Sequence, residues 1–397
     1  MSPYQPYIVA LYVAAALAGI YFIRVHIVLN GGGDHLANLC ILSPATRASI
    51  YAVQYLPAGL TGFLCTLSEF FLGALEPNTP GWRTAVECIG ALAVPIAAGW
   101  LEASRGKPSL WVALPVLWGL GYQAVGGGVV LVLQLLAIIL TSDAPSRIRH
   151  GQIARADAEG ALLGVLLGYI APTVYLVLRP GPVISAAWQP FPVYVSLIQL
   201  LYSQLRRLVT PKGAKLDGYW TTQATYVISA LPGLAAHLRV VANIINSTNF
   251  IKQLQALFIP SIINLPPGSS LNAAAAHLFK WDSALMYGAA LAAPLWLSFD
   301  LGKGLEPPMM IAFVQAVPAF GPGPVMAAAW IWREKGLRET RKELELKELT
   351  EKALEGQEKE GTKAIKASTS ASAVEGSGSG SDTPLRRSKR NRSKRVD

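Results

Sequence analysis

Asp282, Glu69 and Glu87 are carboxylates set inside runs of sequence that are otherwise apolar. An ionisable group within a membrane-spanning segment is costly, so it is a functional candidate by default. Asp282 follows Trp281, and apolar sequence continues after it almost to Asp300. Glu69 stands in Leu-Ser-Glu-Phe-Phe-Leu, and Glu87 lies about one turn inside the run that begins near Trp82. A carboxyl group in an apolar site has a raised pKa and stays protonated near neutral pH, where it can act as a general acid. Aromatic faces stabilise a travelling carbocation without capturing it. Trp281, Tyr287 and Trp296 are the candidate walls for such a cation, with interfacial anchoring or bundle packing as their structural alternative. Asp300 reads as a hydrated interfacial residue, because Lys303 and Glu306 follow it at once. Acid plus aromatic lining suits protonation-initiated cyclisation of a lipophilic polyene. It suits a proton-coupled transporter or a passive membrane scaffold equally, so composition alone does not choose.

The elements that must position these residues are helices. The chain is 52% hydrophobic and 15% charged, against about 25% charged in an ordinary soluble domain. Half of the 34 Lys and Arg follow Trp332. Before that point the chain is a series of apolar runs of spanning length. The expected fold is an all-α, multi-pass transmembrane bundle of about eight to ten spans, with a charged tail. Residues 1–334 form the bundle with its cavity. Residues 335–361 read as a charged soluble helix, and residues 362–397 as a disordered Ser/Gly-rich and then basic tail. The first run, about 8–23, has no basic segment before it and no convincing cleavage site, so it reads as a retained span.

The block 110–140 is too long for one upright crossing. Gly119, Gly121 and Gly126 to Gly128 interrupt it, which predicts a kinked helix or a broken one facing a cavity. Tyr122 and Gln123 line that cavity if the helix is broken. Cys40, Cys65 and Cys88 are odd in number and match no zinc or disulfide framework, so they read as small buried hydrophobes. Asp157 and Glu159 read as helix N-terminal carboxylates. Asn246-Ser-Thr is a glycosylation sequon, meaningful if it is lumenal. A count of nine spans places the basic tail opposite the basic connections after the fourth and sixth runs, against the positive-inside tendency. A miscount in 110–140 or in the amphipathic stretch 249–276 resolves that conflict. The basic cluster 386–395 resembles a nuclear-localisation or nucleic-acid patch, but beside so many spans it reads as a contact for anionic lipid headgroups or as a segment with no specific role, and not as a nucleic-acid site.

No Walker loop, His-Glu-x-x-His motif, Gly-x-Ser-x-Gly elbow or dinucleotide fingerprint is present. No aspartate-rich cluster of the kind that holds magnesium on a diphosphate occurs, and the five histidines are scattered. The chain does carry Phe279-Lys-Trp-Asp282 at the start of a late span, Gly321-Pro-Gly-Pro324, and Trp330-Ile-Trp-Arg-Glu334. These motifs resemble the ascochlorin- and paxilline-type integral-membrane terpene cyclases of fungal meroterpenoid and indole-diterpenoid pathways. The resemblance is strongest over about 274–334, and Lys280 stands where a Gln is expected. It implies protonation of an epoxide or alkene on a prenylated substrate, then a carbocation cascade with no metal or organic cofactor. It also implies a lipophilic substrate, an endoplasmic reticulum membrane, and neighbouring prenyltransferase and epoxidase enzymes. Asp282 and Glu69 are the preferred acids, with Glu87 third. A transporter of a lipophilic product, or a membrane scaffold of the pathway, is the alternative.

Overall fold

The computed structural model describes residues 4–40, 57–106, 108–141, 144–211, 217–299, 301–302 and 307–374. Asp300, the basic cluster 386–395 and residues 48–56, which begin the apolar run that holds Glu69, lie outside them. The chain divides into two units, Met1–Arg341 and Lys342–Asp397. Among the described residues the first unit is built of helices and their connections, with no strand beyond two isolated bridges.

The helices that matter run in order as α1 Gln5–Leu29, α2 Gly32–Cys40, α3 Ala58–Ala74, α4 Pro80–Ala103, α5 Pro115–Val125 and α6 Gly127–Thr141. There follow α7 Arg155–Leu178, α8 Phe191–Val209, α9 Tyr219–Ile244, α10 Leu271–Phe299, α11 Pro307–Phe320 and α12 Pro322–Val374. Among the described residues, α1, α4, α7 and α9 are long and apolar enough to cross a membrane. The pair Pro182–Trp188 and α8, bent by 51°, makes a fifth if it is one span. This is fewer than the apolar runs suggested. The run 110–140 is cut at Leu114 and at Gly126, and the last run is cut at Gly321. Helix α10 has 29 residues, about 43 Å at 1.5 Å per residue. Its length suffices for a crossing, but Lys280, Asp282 and Pro294 dilute its apolarity.

Helix α4 is the axis of the bundle. Thr79 caps it by accepting from the Trp82 N–H, and Pro80 fits the first turn, where no N–H partner is needed. Its apolar window is wholly buried, and α9 and α10 pack along it. By contrast α1 presents Leu11, Leu17 and Ile20 outward, and α9 presents Leu231 and Leu238. Outward leucines along a spanning helix make a surface for lipid tails. In α10 the small residues Ala289, Ala290 and Ala293 are buried, which lets neighbours approach closely. Pro294 removes the N–H that would bond the Ala290 carbonyl, and the Trp330 indole N–H donates to that carbonyl at 3.2 Å instead.

One end of the bundle is closed by buried charges. Glu102 contacts Arg105 and Arg333 at 2.8 Å each, Arg333 contacts Glu334 at 2.6 Å, and Arg105 pairs with Glu334. Arg105 also donates to the Gly151 carbonyl. Burial works against the Arg105 charge, but Glu102 and Glu334 beside it outweigh burial and hold it above the ordinary arginine value. The Trp-x-Trp-Arg-Glu motif is therefore structural here: Arg333 and Glu334 lock α12 to the end of α4. Arg341 reaches the Ile148 carbonyl at 2.9 Å, beside Arg147 and Arg149.

The cysteine expectation is corrected. Cys40 and Cys65 form a disulfide, with Cα atoms 5.7 Å apart, and Cys88 is free and buried. The pairing comes from α2 lying against α3, which a separation of 25 residues does not reveal.

Candidate functional site

The start of α6 builds the first site. Gly126 has φ +111°, a conformation that side chains other than glycine rarely adopt. It ends α5 and begins α6, so the first N–H groups of α6 are left without intrahelical partners. Asp282 of α10 fills that gap: its Oδ1 accepts from the Gly128 N–H at 2.6 Å. A Cβ at Gly128 would stand 3.2 Å from this oxygen and 2.9 Å from Ile23 Cδ1, so the approach needs glycine. The positive end of the helix dipole favours a carboxylate there.

Asp282 also lines a cavity of about 300 Å³. Its walls are mainly apolar and aromatic, with Phe70 and Phe71 from α3, Phe279 from α10, and Tyr122 and Gln123 from α5. Arg24 of α1 lines the same cavity and donates to the Ala124 carbonyl. The site thus joins one carboxyl group, one guanidinium and a set of aromatic faces. Such an arrangement can donate a proton to an apolar guest and receive the charge that develops on it.

A second cavity, of about 240 Å³, lies on another face of α10. Lys280, Ser283 and Tyr287 line it from α10, and Glu87 lines it from α4. Glu87 is buried, and its Oε1 is 2.9 Å from His237 Nδ1. His237 Nε2 is 3.1 Å from the Pro318 carbonyl. The Tyr287 hydroxyl donates to the Cys88 carbonyl, which turns its ring toward the cavity.

The residues singled out in the sequence therefore separate. Asp282 and Tyr122 share the first cavity, together with Gln123. Glu87 and Tyr287 share the second. Glu69 is half-buried on α3 and lines neither. Trp281 stacks on Phe22 at 3.8 Å and donates to the Ser261 carbonyl at 2.9 Å, away from both cavities. Trp296 packs on Phe299 and also lines neither. Lys280 and Asp282 face different cavities, so the cation that shares the Asp282 cavity is Arg24, not Lys280. Asp157 and Glu159 pair with Arg207 and Arg206 of α8.

Three features lie outside the sequence reading. Arg24 stands 258 residues before its carboxylate neighbour, and His237 stands 150 after Glu87. His26 and His277 form a buried pair with Nδ1 and Nε2 2.9 Å apart. No local spacing signals any of them. Among the described residues no group of three or more His, Cys, Asp or Glu converges as a metal-ligand set.

A bundle of apolar helices, four or five of them long and apolar enough to cross a membrane among the described residues, with two cavities each lined by a buried carboxyl group, defines a multi-pass membrane protein. Residues 8–335 match the CtvD domain, and the chain belongs to that family, one of fungal secondary-metabolite biosynthesis. No curated protein and no solved structure matches the chain.

Proposed function

We propose that the protein is an integral-membrane terpene cyclase that starts a carbocation cascade with a proton from Asp282. One observation carries the reading: the Asp282 carboxyl group is anchored by the Gly128 N–H at the wall of an aromatic, largely apolar cavity. The substrate is a prenylated, lipophilic molecule with an epoxide or alkene. Its epoxide oxygen takes the Asp282 proton, the bond from that oxygen to the more substituted carbon breaks, and a tertiary cation forms. Neighbouring alkene electrons attack the cation and close a ring. The last cation loses a proton, which returns to the Asp282 carboxylate, so the product is an isomer of the substrate. Phe70, Phe71 and Phe279 stabilise the positive charge through their faces. Gly128 N–H and Arg24 stabilise the carboxylate between proton release and return.

No metal or organic cofactor enters this scheme. The protein works in the endoplasmic reticulum membrane, next to the prenyltransferase and epoxidase that make its substrate. The test is expression in cells that produce candidate epoxyprenyl precursors. Cyclised products of unchanged mass support the reading. Consumption of none of the precursors by microsomes rich in folded protein contradicts it.

A further inference from the structure

The second cavity has a polar anchor that the cyclase reading does not use. His237 Nε2 faces the Pro318 carbonyl, which can only accept, so this nitrogen carries a proton. The proton between Nδ1 and Glu87 Oε1 then lies on one or the other of those two atoms. In both cases Glu87 Oε2 is left as an acceptor. It is buried and has no hydrogen-bond partner among the described residues. A buried acceptor left without a donor is destabilising. Lys280, on the same cavity, has no hydrogen bond or ion pair among the described residues either. The remaining wall is apolar, with Phe258, Leu291, Val317 and Met326.

We propose that this cavity is a binding site of its own for a hydroxyl-bearing apolar molecule. Its hydroxyl donates to Glu87 Oε2, and its hydrocarbon body lies against the Phe258, Leu291 and Met326 walls. His237 positions Glu87 by holding Oε1, so that Oε2 faces the guest. Pro322 and Val317 bring the break between α11 and α12 to the cavity wall, where Gly321 has φ +80° and lies against His237. The proposal stands on Glu87 and the second cavity alone, independent of what Asp282 does. An isoprenoid alcohol of the pathway and a membrane sterol both have the required chemistry.

The experiment uses the full-length protein in lipid nanodiscs and an isoprenoid alcohol carrying a photoactivatable diazirine. Labelled peptides are located by mass spectrometry. Label is expected on 279–291 and 317–326. The unlabelled alcohol should compete for it, and its methyl ether should compete at least about tenfold less well, since the ether lacks the donor. Gly288 lines this cavity, and a Cβ there meets nothing within 4 Å. Gly288→Leu therefore starts its side chain in open space at the cavity and should reduce or remove the label. Asp282→Asn should leave the label unchanged, which separates this test from that of the cyclase. Competition by a sterol assigns the site to a bilayer lipid, and competition by the isoprenoid alcohol alone assigns it to a pathway molecule. Equal competition by alcohol and ether overturns the proposal. So does full labelling of monodisperse Gly288→Leu protein.

Discussion

Asp282 Oδ1 lies 2.6 Å from the backbone nitrogen of Gly128, so a carboxylate of α10 caps the first turn of α6. The two residues are 154 positions apart. The contact serves two ends at once. It satisfies an N–H that the Gly126 break leaves without a helical partner, and it fixes the carboxyl group at the cavity wall. Substitutions on the α6 side therefore test positioning, and substitutions at Asp282 test chemistry.

Gly126→Ala places a side chain in a backbone conformation that is nearly exclusive to glycine. The strain should cost about 1–3 kcal/mol. The midpoint of thermal unfolding in detergent should fall. A midpoint equal to that of the parent protein would show that the break relaxes without cost.

The buried charges at the end of α4 make a second, separate prediction. Removing one partner of a buried ion pair costs about 3–5 kcal/mol, because the other charge stays buried. Arg333 is fully buried between Glu102 and Glu334, so Arg333→Met should sharply reduce the yield of monodisperse protein. Adding Glu102→Gln should restore part of that yield. Additive losses in the double variant would mean that the two groups do not interact.

Parts of this arrangement were readable in the chain. The glycines of 110–140 predicted a kinked or a broken helix, the second with Tyr122 and Gln123 at a cavity, and the break at Gly126 is the second. Asp282 and Glu87 stood out because charge is rare in apolar runs. Trp281 was a candidate wall with anchoring or packing as its alternative; neighbouring residues on a helix point about 100° apart, and Trp281 packs on Phe22. Lys280, two positions before the acid, points away for the same reason. Pairings between distant segments left no local trace: Glu87 with His237, Cys40 with Cys65, Arg24 with the Asp282 cavity. Fewer single helices among the described residues are long and apolar enough for a span than there are apolar runs, because breaks such as those at Gly126 and Gly321 divide the runs.

Orientation can be checked at two sites. Helix α9 starts beside Ile153, with the Gly218 N–H bonded to the Ile153 carbonyl, and Asn246 lies just past its other end, exposed. If the basic connections are cytosolic, Asn246 is lumenal. A glycosidase shift that disappears in Asn246→Gln is expected. Labelling of an engineered cysteine beside Asn246 by a reagent confined to the cytosol would contradict it. Cys40 and Cys65 should react with a thiol reagent only after reduction.

Among the described residues, both cavities are lined by residues of the first unit. A truncation after Gly361 should keep near-normal turnover per folded molecule. Lost turnover at an unchanged protein level would give the tail a role in the reaction.

The central claim is that Asp282 supplies the initiating proton, and one comparison tests it most directly. Turnover of an epoxyprenyl precursor is measured for the parent protein, Asp282→Asn and Asp282→Glu at matched levels of monodisperse protein. Asn keeps the acceptor oxygen for the Gly128 N–H but has no acidic proton. General acid catalysis contributes about 10² to 10⁴ in rate, so Asp282→Asn should lose at least about a hundredfold, and Asp282→Glu should retain part of the activity. A folded Asp282→Asn protein that cyclises at the parent rate would reduce Asp282 to a helix cap and contradict the account.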